Sequence, residues 1–345
     1  MSPSLWAVLM LSDLSMLEKF VIEAEKSPYL MKFCEHACTA IPLVWKQKEP
    51  IPRQGSQSTS SKSSGANRKE ALADKARERD GKRCVIRKLI EAVQVAHIYP
   101  WCLISERRTN VNRTFPPFWE MLRYFWSPEK IDVWHQHIFT NPDRPSTSYD
   151  SISNMICLSA DLHQSWTNGR FALRPLEYNA DKTELKFQLF HQPAPRHSLD
   201  DRIPLCTTPG SSRGLSAVCA DNQEVYFHIL IENNGQLEKV HSGQEFLIKT
   251  LDPVGLPLPS KELLEMAWIL ARVVNMSGAG GEEDIEGFSS ESGYDIGMTA
   301  ESSDHSEWDN DTTRITSAGP SPIKTRDTAT ETTNASEQPT LTNEI

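Results

Sequence analysis

The sequence lacks a long apolar run and a paired cysteine motif, and it has few basic residues near its carboxyl end. No apolar run approaches the ~20 residues that a membrane-spanning helix needs, so we expect no membrane partner. The seven cysteines are an odd number without C-x-x-C pairs, which argues against a disulfide framework and against a zinc ribbon. Reduced thiols predict an intracellular protein, in the nucleus or the cytoplasm.

Acidic residues are concentrated near the carboxyl end. Residues 277–345 contain fifteen Asp or Glu against three Lys or Arg, a net charge of −12. The whole chain carries −10, so residues 1–276 carry a net charge of +2. The acidic balance therefore does not exclude a polyanionic partner. The segment 277–345 has few large apolar residues, which predicts a disordered tail.

Composition divides the rest of the chain into three parts. Residues 1–48 show helical apolar spacing and predict an N-terminal helical segment, whose start is better described as an amphipathic helix than as a signal peptide. Residues 49–67 are rich in Ser, Gln, Gly and Pro and predict a disordered linker. Residues 68–276 predict an α+β domain that closes with a helix from about Pro259, ended by Gly278.

Two separated segments of this domain carry residues with catalytic chemistry. The first places a histidine before Ile-x-Pro, at the end of a predicted strand: Val95-Ala96-His97-Ile98-Tyr99-Pro100. In the second, Asn154 begins a predicted strand and His163 follows nine residues later in a predicted short helix. The four tryptophans between the two segments predict a packed helical insertion over residues 101–150.

Together these segments resemble the HNH endonuclease family, in particular the variant whose first motif reads Ala-His-Ile-x-Pro. The resemblance spans residues 78–176 and implies a ββα-metal core, also called a His-Me finger. It implies that His97 is the general base and that His163 binds a divalent cation, Mg²⁺, Mn²⁺ or Zn²⁺. For Asn154 it implies one of two roles, supporting the base or completing the metal shell.

The sequence departs from the family pattern in three places. Many HNH sites have Asp, Glu or His directly before the base histidine, where this chain has Ala96, although the Ala-His-Ile variant lacks that residue as a rule. An aspartate usually follows the aromatic residue of the second motif, and here it is replaced by Thr167, a poor cation ligand. Arg87 and Lys88 stand where Thr-Gly is usual at a hairpin turn, after a predicted strand at 84–86.

The chain just before the first motif is basic, with nine Lys or Arg against four Asp or Glu over residues 68–88. A solvated helix with internal ion pairs would explain these charges, and so would a DNA-facing surface. We expect contacts to nucleic-acid phosphates from Arg79, Lys82, Arg83 and Arg170.

The leading hypothesis is a metal-dependent HNH-type endonuclease, a hydrolase that acts on DNA. The alternative is a catalytically degenerate HNH module that binds nucleic acid or a protein partner without cleavage. A zinc-stabilised structural domain is a weaker third reading, because too few ligand-type residues lie together for a closed tetrahedral site.

Overall fold

Helices and short antiparallel strands make up the protein, which confirms the predicted α+β class. The computed structural model describes residues 1–46, 64–100, 103–104, 118–139, 150–219 and 224–281. Residues 49–63 of the predicted linker and 282–345 of the predicted tail lie outside these ranges. Residues 64–67, also assigned to the linker from sequence, belong to a helix.

The helices, in chain order, are α1 (Pro3–Leu11), α2 (Leu14–Lys26), α3 (Pro28–Ala37), α4 (Ala40–Trp45), α5 (Ser64–Arg79), α6 (Phe118–Leu122), α7 (Pro128–Phe139), α8 (Ala160–Thr167) and α9 (Lys261–Met276). The strands are β1 (Val93–His97), β2 (Met155–Ser159), β3 (Phe171–Tyr178), β4 (Glu184–His191), β5 (Val218–Cys219), β6 (Val225–Phe227), β7 (Leu230–Asn233), β8 (Gln236–Lys239) and β9 (Gln244–Lys249). Among the described helices, none combines the length and apolar character needed to cross a membrane.

The predicted carboxyl-terminal helix is α9, and it lies at the centre of the packing. Ser260 caps it, because its hydroxyl accepts a hydrogen bond from the Leu263 amide. Its apolar residues pack against β3 of the antiparallel sheet β3–β4–β9 and against α1, α4 and α7. The N-terminal helices and the strands therefore share one apolar core.

The aromatic residues between the two motif segments belong to this core. Trp119, Trp126 and Trp134 of α6, α7 and the turn between them are buried. The indole of Trp126 donates a hydrogen bond to the Leu11 carbonyl at the end of α1. Within its described part, the insertion is packed and helical, as predicted, while Trp101 lies outside the described residues.

The motif residues lie on a unit of two strands and one helix. Strands β1 and β2 pair antiparallel, with Val93 opposite Ser159 and His97 opposite Met155. Helix α8 follows β2 directly, so the chain passes from strand to helix without a loop. This ββα arrangement is the one that the resemblance implied.

One predicted strand is absent. Residues 84–86 form a buried turn, in which the Cys84 amide donates to the Leu89 carbonyl and the Val85 amide donates to the Cys157 carbonyl. The apolar composition of these residues reflects their burial and not an extended backbone, which is why a strand was wrongly expected there.

Candidate active site

His97 is the last residue of β1 and lies at the mouth of the ββα unit. Its side chain is 20% exposed, and its Nε2 lies 3.2 Å from Oδ2 of Asp150. Asp150 stands four residues before Asn154, in the chain that leads into β2. The base predicted from the motif is therefore reachable by solvent and held by a carboxylate.

Asn154 connects the start of β2 to the chain just after His97. Its Oδ1 accepts a hydrogen bond from the Tyr99 amide at 2.7 Å, and its Nδ2 donates to the Tyr99 carbonyl at 3.1 Å. The Ile98 amide donates to the Asn154 carbonyl at 2.8 Å. Both polar atoms of its amide bond the Tyr99 backbone and the side chain is buried, which favours the predicted supporting role. The two roles predicted for Asn154 stay predictions.

His163 lies in the first turn of α8 and contacts β1 across the unit. Its Nδ1 lies 2.8 Å from Oε1 of Gln94. Burial lowers the pKa of His163 to about 4, with a further contribution from the charge of the nearby His97. At neutral pH the imidazole is uncharged, and because Nδ1 donates to the Gln94 oxygen, Nε2 carries the lone pair. His163 bonds to Gln94 of β1, and His97 ends the same strand, so both histidines belong to the ββα unit.

The sequence of this ββα unit and its surroundings was compared with models of known protein families. Residues 84–174 match the family model described as HNH endonuclease. These residues form an HNH-type domain. Neither the curated proteins nor the solved structures gave a match.

HNH nucleases generally use a divalent metal ion, and His163 fits such an ion. A neutral imidazole whose second nitrogen donates to an oxygen is the usual form of a histidine ligand. Thr167 does not fit, because its hydroxyl donates to the His163 carbonyl at 3.0 Å. Within the ranges that the structure describes, no group of three or more His, Cys, Asp or Glu side chains could hold a metal ion, and metal binding by His163 stays a prediction.

Arg79 is not placed to bind nucleic acid, which corrects the sequence prediction. Its side chain is fully buried and pairs with Asp80, Nε to Oδ1, at 2.7 Å. Its terminal nitrogens donate to the carbonyls of Ile152, Pro257 and Met155 at 2.7–3.1 Å. Arg79 therefore fixes α5 against the chain that leads into β2, and its positive charge serves the fold.

The other three basic residues differ in their surroundings. Lys82 and Arg83 are exposed in the turn after α5, and Arg83 donates a hydrogen bond within that turn. Arg170 is half-buried, donates to the Cys219 carbonyl at 2.8 Å, and lies 5.5 Å from the centre of the Tyr226 ring. Phosphate contacts by these three residues stay a prediction.

Two side chains that bond the site histidines were missed from sequence. Gln94 was detectable as a polar residue within the apolar strand β1. Asp150 gave no such signal, because it is separated from His97 by 53 positions and only the hairpin brings the two together. The motif pointed to the two histidines but not to the side chains that bond them.

Proposed function

We propose that the protein is a metal-dependent endonuclease that hydrolyses phosphodiester bonds of DNA with His97 as general base. The observation that supports this proposal is that His97 ends β1 while His163, in α8, bonds Gln94 of the same strand and has a pKa that the charge of His97 helps to lower. In the proposed reaction one imidazole takes a proton and the other binds a cation. The match of residues 84–174 to the HNH endonuclease family supports nucleic acid as the substrate class.

The chemistry assigned to His97 is removal of a proton from water. The water oxygen then forms a bond to phosphorus, the bond from phosphorus to the leaving oxygen breaks, and that oxygen takes a proton from solvent. An imidazole suits this task because it titrates near neutral pH. A divalent cation held by His163 would offset the charge that develops on the phosphate and on the leaving oxygen.

The remaining assigned residues position the base or the substrate. Asn154 fixes the backbone directly after His97 through Tyr99. Lys82 and Arg83 are exposed, so their charges are available to phosphate groups on a bound strand.

Nicking of a supercoiled plasmid, with Mg²⁺, Mn²⁺ or Zn²⁺ supplied in turn, tests the proposal. We expect the wild type to nick with at least one ion, and His97→Ala to lower the rate by about 10²–10⁴-fold while DNA affinity is retained. His163→Ala should require much more metal for the same rate. His241→Ala, at an exposed histidine, is the matched control and should behave as wild type. Full activity in His97→Ala, or no nicking by the wild type with any ion, refutes the proposal.

A binding module without cleavage is the second candidate, and Thr167 favours it. HNH sequences usually carry an aspartate at this position, whereas here a hydroxyl donates to the helix backbone. If the wild type binds DNA without nicking it and Thr167→Asp restores nicking in the same assay, the site has decayed and the module binds only.

A further inference from the structure

Asp150 makes one polar contact in the described structure, and that contact is to the proposed base. Its Oδ2 lies 3.2 Å from Nε2 of His97, and its side chain is only 11% exposed. Among the described residues, its other oxygen, Oδ1, is buried and accepts no hydrogen bond. A buried carboxylate with a single polar partner is unusual, because burial of an unsatisfied polar group costs stability.

A second buried carboxylate in the same unit shows what a purely structural role looks like. Asp80 uses both oxygens, which accept from Nε and Nη2 of Arg79 at 2.7 and 2.9 Å. One of these oxygens also accepts from the Cys157 amide at 2.9 Å. Asp80 is therefore paired with a permanent cation and a backbone donor, while Asp150 faces a side chain that changes its charge during catalysis.

The contact also determines which nitrogen of the neutral His97 ring carries the proton. An ionised carboxylate can only accept hydrogen bonds, so Nε2 is the nitrogen that carries the proton. The neutral ring then carries its lone pair on Nδ1. In this arrangement the proton removed from water passes to Nδ1, Nε2 keeps its own proton, and the carboxylate faces the resulting imidazolium.

We propose that Asp150 is the positioning residue of the base: it holds His97 with the proton on Nε2 and stabilises the imidazolium formed when Nδ1 takes a proton. This inference rests on the proposed function of His97. The same role is played by the aspartate of a Ser-His-Asp triad, which orients a catalytic imidazole and keeps its own charge.

Kinetics of Asp150→Ala, Asp150→Glu and Asp132→Ala test the assignment in the full chain. We expect Asp150→Ala to lower kcat by about 10–10²-fold with KM nearly unchanged, and Asp150→Glu to recover part of that loss because it restores a carboxylate. Asp132→Ala is the control, since Asp132 forms a surface ion pair with Arg123, and it should behave as wild type. Wild-type kcat in Asp150→Ala overturns the assignment.

The ring form of His97 gives a readout that does not need activity. Long-range ¹H–¹⁵N spectra of metal-free protein, assigned with His97→Gln, should show the proton on Nε2 in the wild type and a mixture of both forms in Asp150→Ala. A proton on Nδ1 in the wild type, or an unchanged spectrum in Asp150→Ala, overturns the assignment. If the wild type never nicks DNA, the proposed function fails, and these spectra still decide whether Asp150 holds the ring.

Discussion

At the residue scale, the protonation of His163 affects both the stability of the fold and the metal binding proposed for this residue. Its folded pKa is lowered to about 4 because partial burial of the imidazole disfavours the charged form and because the charge of His97 repels a second charge. A cation competes with protons for the same nitrogen, so a neutral imidazole is ready to bind metal at any pH above that value.

The lowered pKa predicts how the stability of the metal-free protein depends on pH. In the unfolded chain a histidine titrates near ~6.5, so between that pH and about 4 the unfolded state binds more protons than the folded state. The free energy of unfolding should therefore be highest above pH ~6.5. It should fall as the pH drops from there to about 4, by at most about 3 kcal/mol. Urea unfolding in a chelator, for wild type and His163→Gln, measures the difference.

His163→Gln should reduce this pH dependence without abolishing it. Burial also lowers the pKa of His191, and that residue is unchanged in the variant. Equal slopes for the two proteins between these pH values would show that His163 is not held neutral by the fold.

The residues of the site differ in how far sequence could predict them. The predicted strand ends at His97 and the predicted helix contains His163, while Asn154 lies in a short 3-10 turn directly before β2 and not in the strand itself. Arg79 was misassigned because charge alone does not distinguish an exposed arginine from one that donates to buried carbonyls. Asp150 was missed because its partner comes from a different strand, which only tertiary structure reveals.

At the element scale, the end of α8 sets the position of the helix that carries His163. Gly169 follows α8 with φ of +68°, a conformation that L side chains rarely adopt. A Cβ there would lie 2.5 Å from the Ala271 carbonyl oxygen and 3.0 Å from the Asn275 amide nitrogen, both in α9. The glycine therefore permits both the turn and the close approach of α8 to α9.

A comparison of two glycines with nearly equal φ separates the cost of the backbone conformation from the cost of the close approach between helices. Gly81, after α5, has φ of +67°, and a Cβ there would meet nothing within 4 Å. We expect Gly81→Ala to lower the free energy of unfolding by about 1–2 kcal/mol from backbone strain alone. Gly169→Ala should lose about 1–3 kcal/mol more, because α9 must move. Chemical denaturation of both variants measures this, and equal losses would exclude a packing role for Gly169.

Elements were easier to predict where periodicity and end signals agree. Helix α9 combines apolar spacing with the Ser260 cap and a closing glycine, and both ends were found within a residue or two. Residues 84–86 have the apolar composition of a strand but form a turn, since their amides bond to Leu89 and Cys157. A short buried run does not by itself specify an extended backbone.

At the scale of the whole molecule, charge is separated along the chain. Residues 277–345 carry a net −12 and the rest a net +2. Lys82 and Arg83, next to the ββα unit, are exposed and basic. If this surface binds DNA as proposed, we predict that the polyanionic segment on the same chain competes with DNA for it at a high effective concentration. The competition must weaken with salt, because added ions screen exposed charges.

Truncation after Gly281 should therefore strengthen DNA binding at low ionic strength, because it removes all of the tail charge and ends where the described residues end. The gain should shrink as salt rises from about 0.01 to 0.15 M, where the Debye length falls to about 8 Å. Fluorescence anisotropy with a labelled duplex measures both affinities. A full-length control has the fifteen acidic residues of the tail changed to amides. It separates the effect of tail charge on DNA affinity from the effect of tail length, and it should bind DNA as the truncated chain does. Unchanged affinity on truncation at low salt would mean that the tail does not reach the surface that binds DNA.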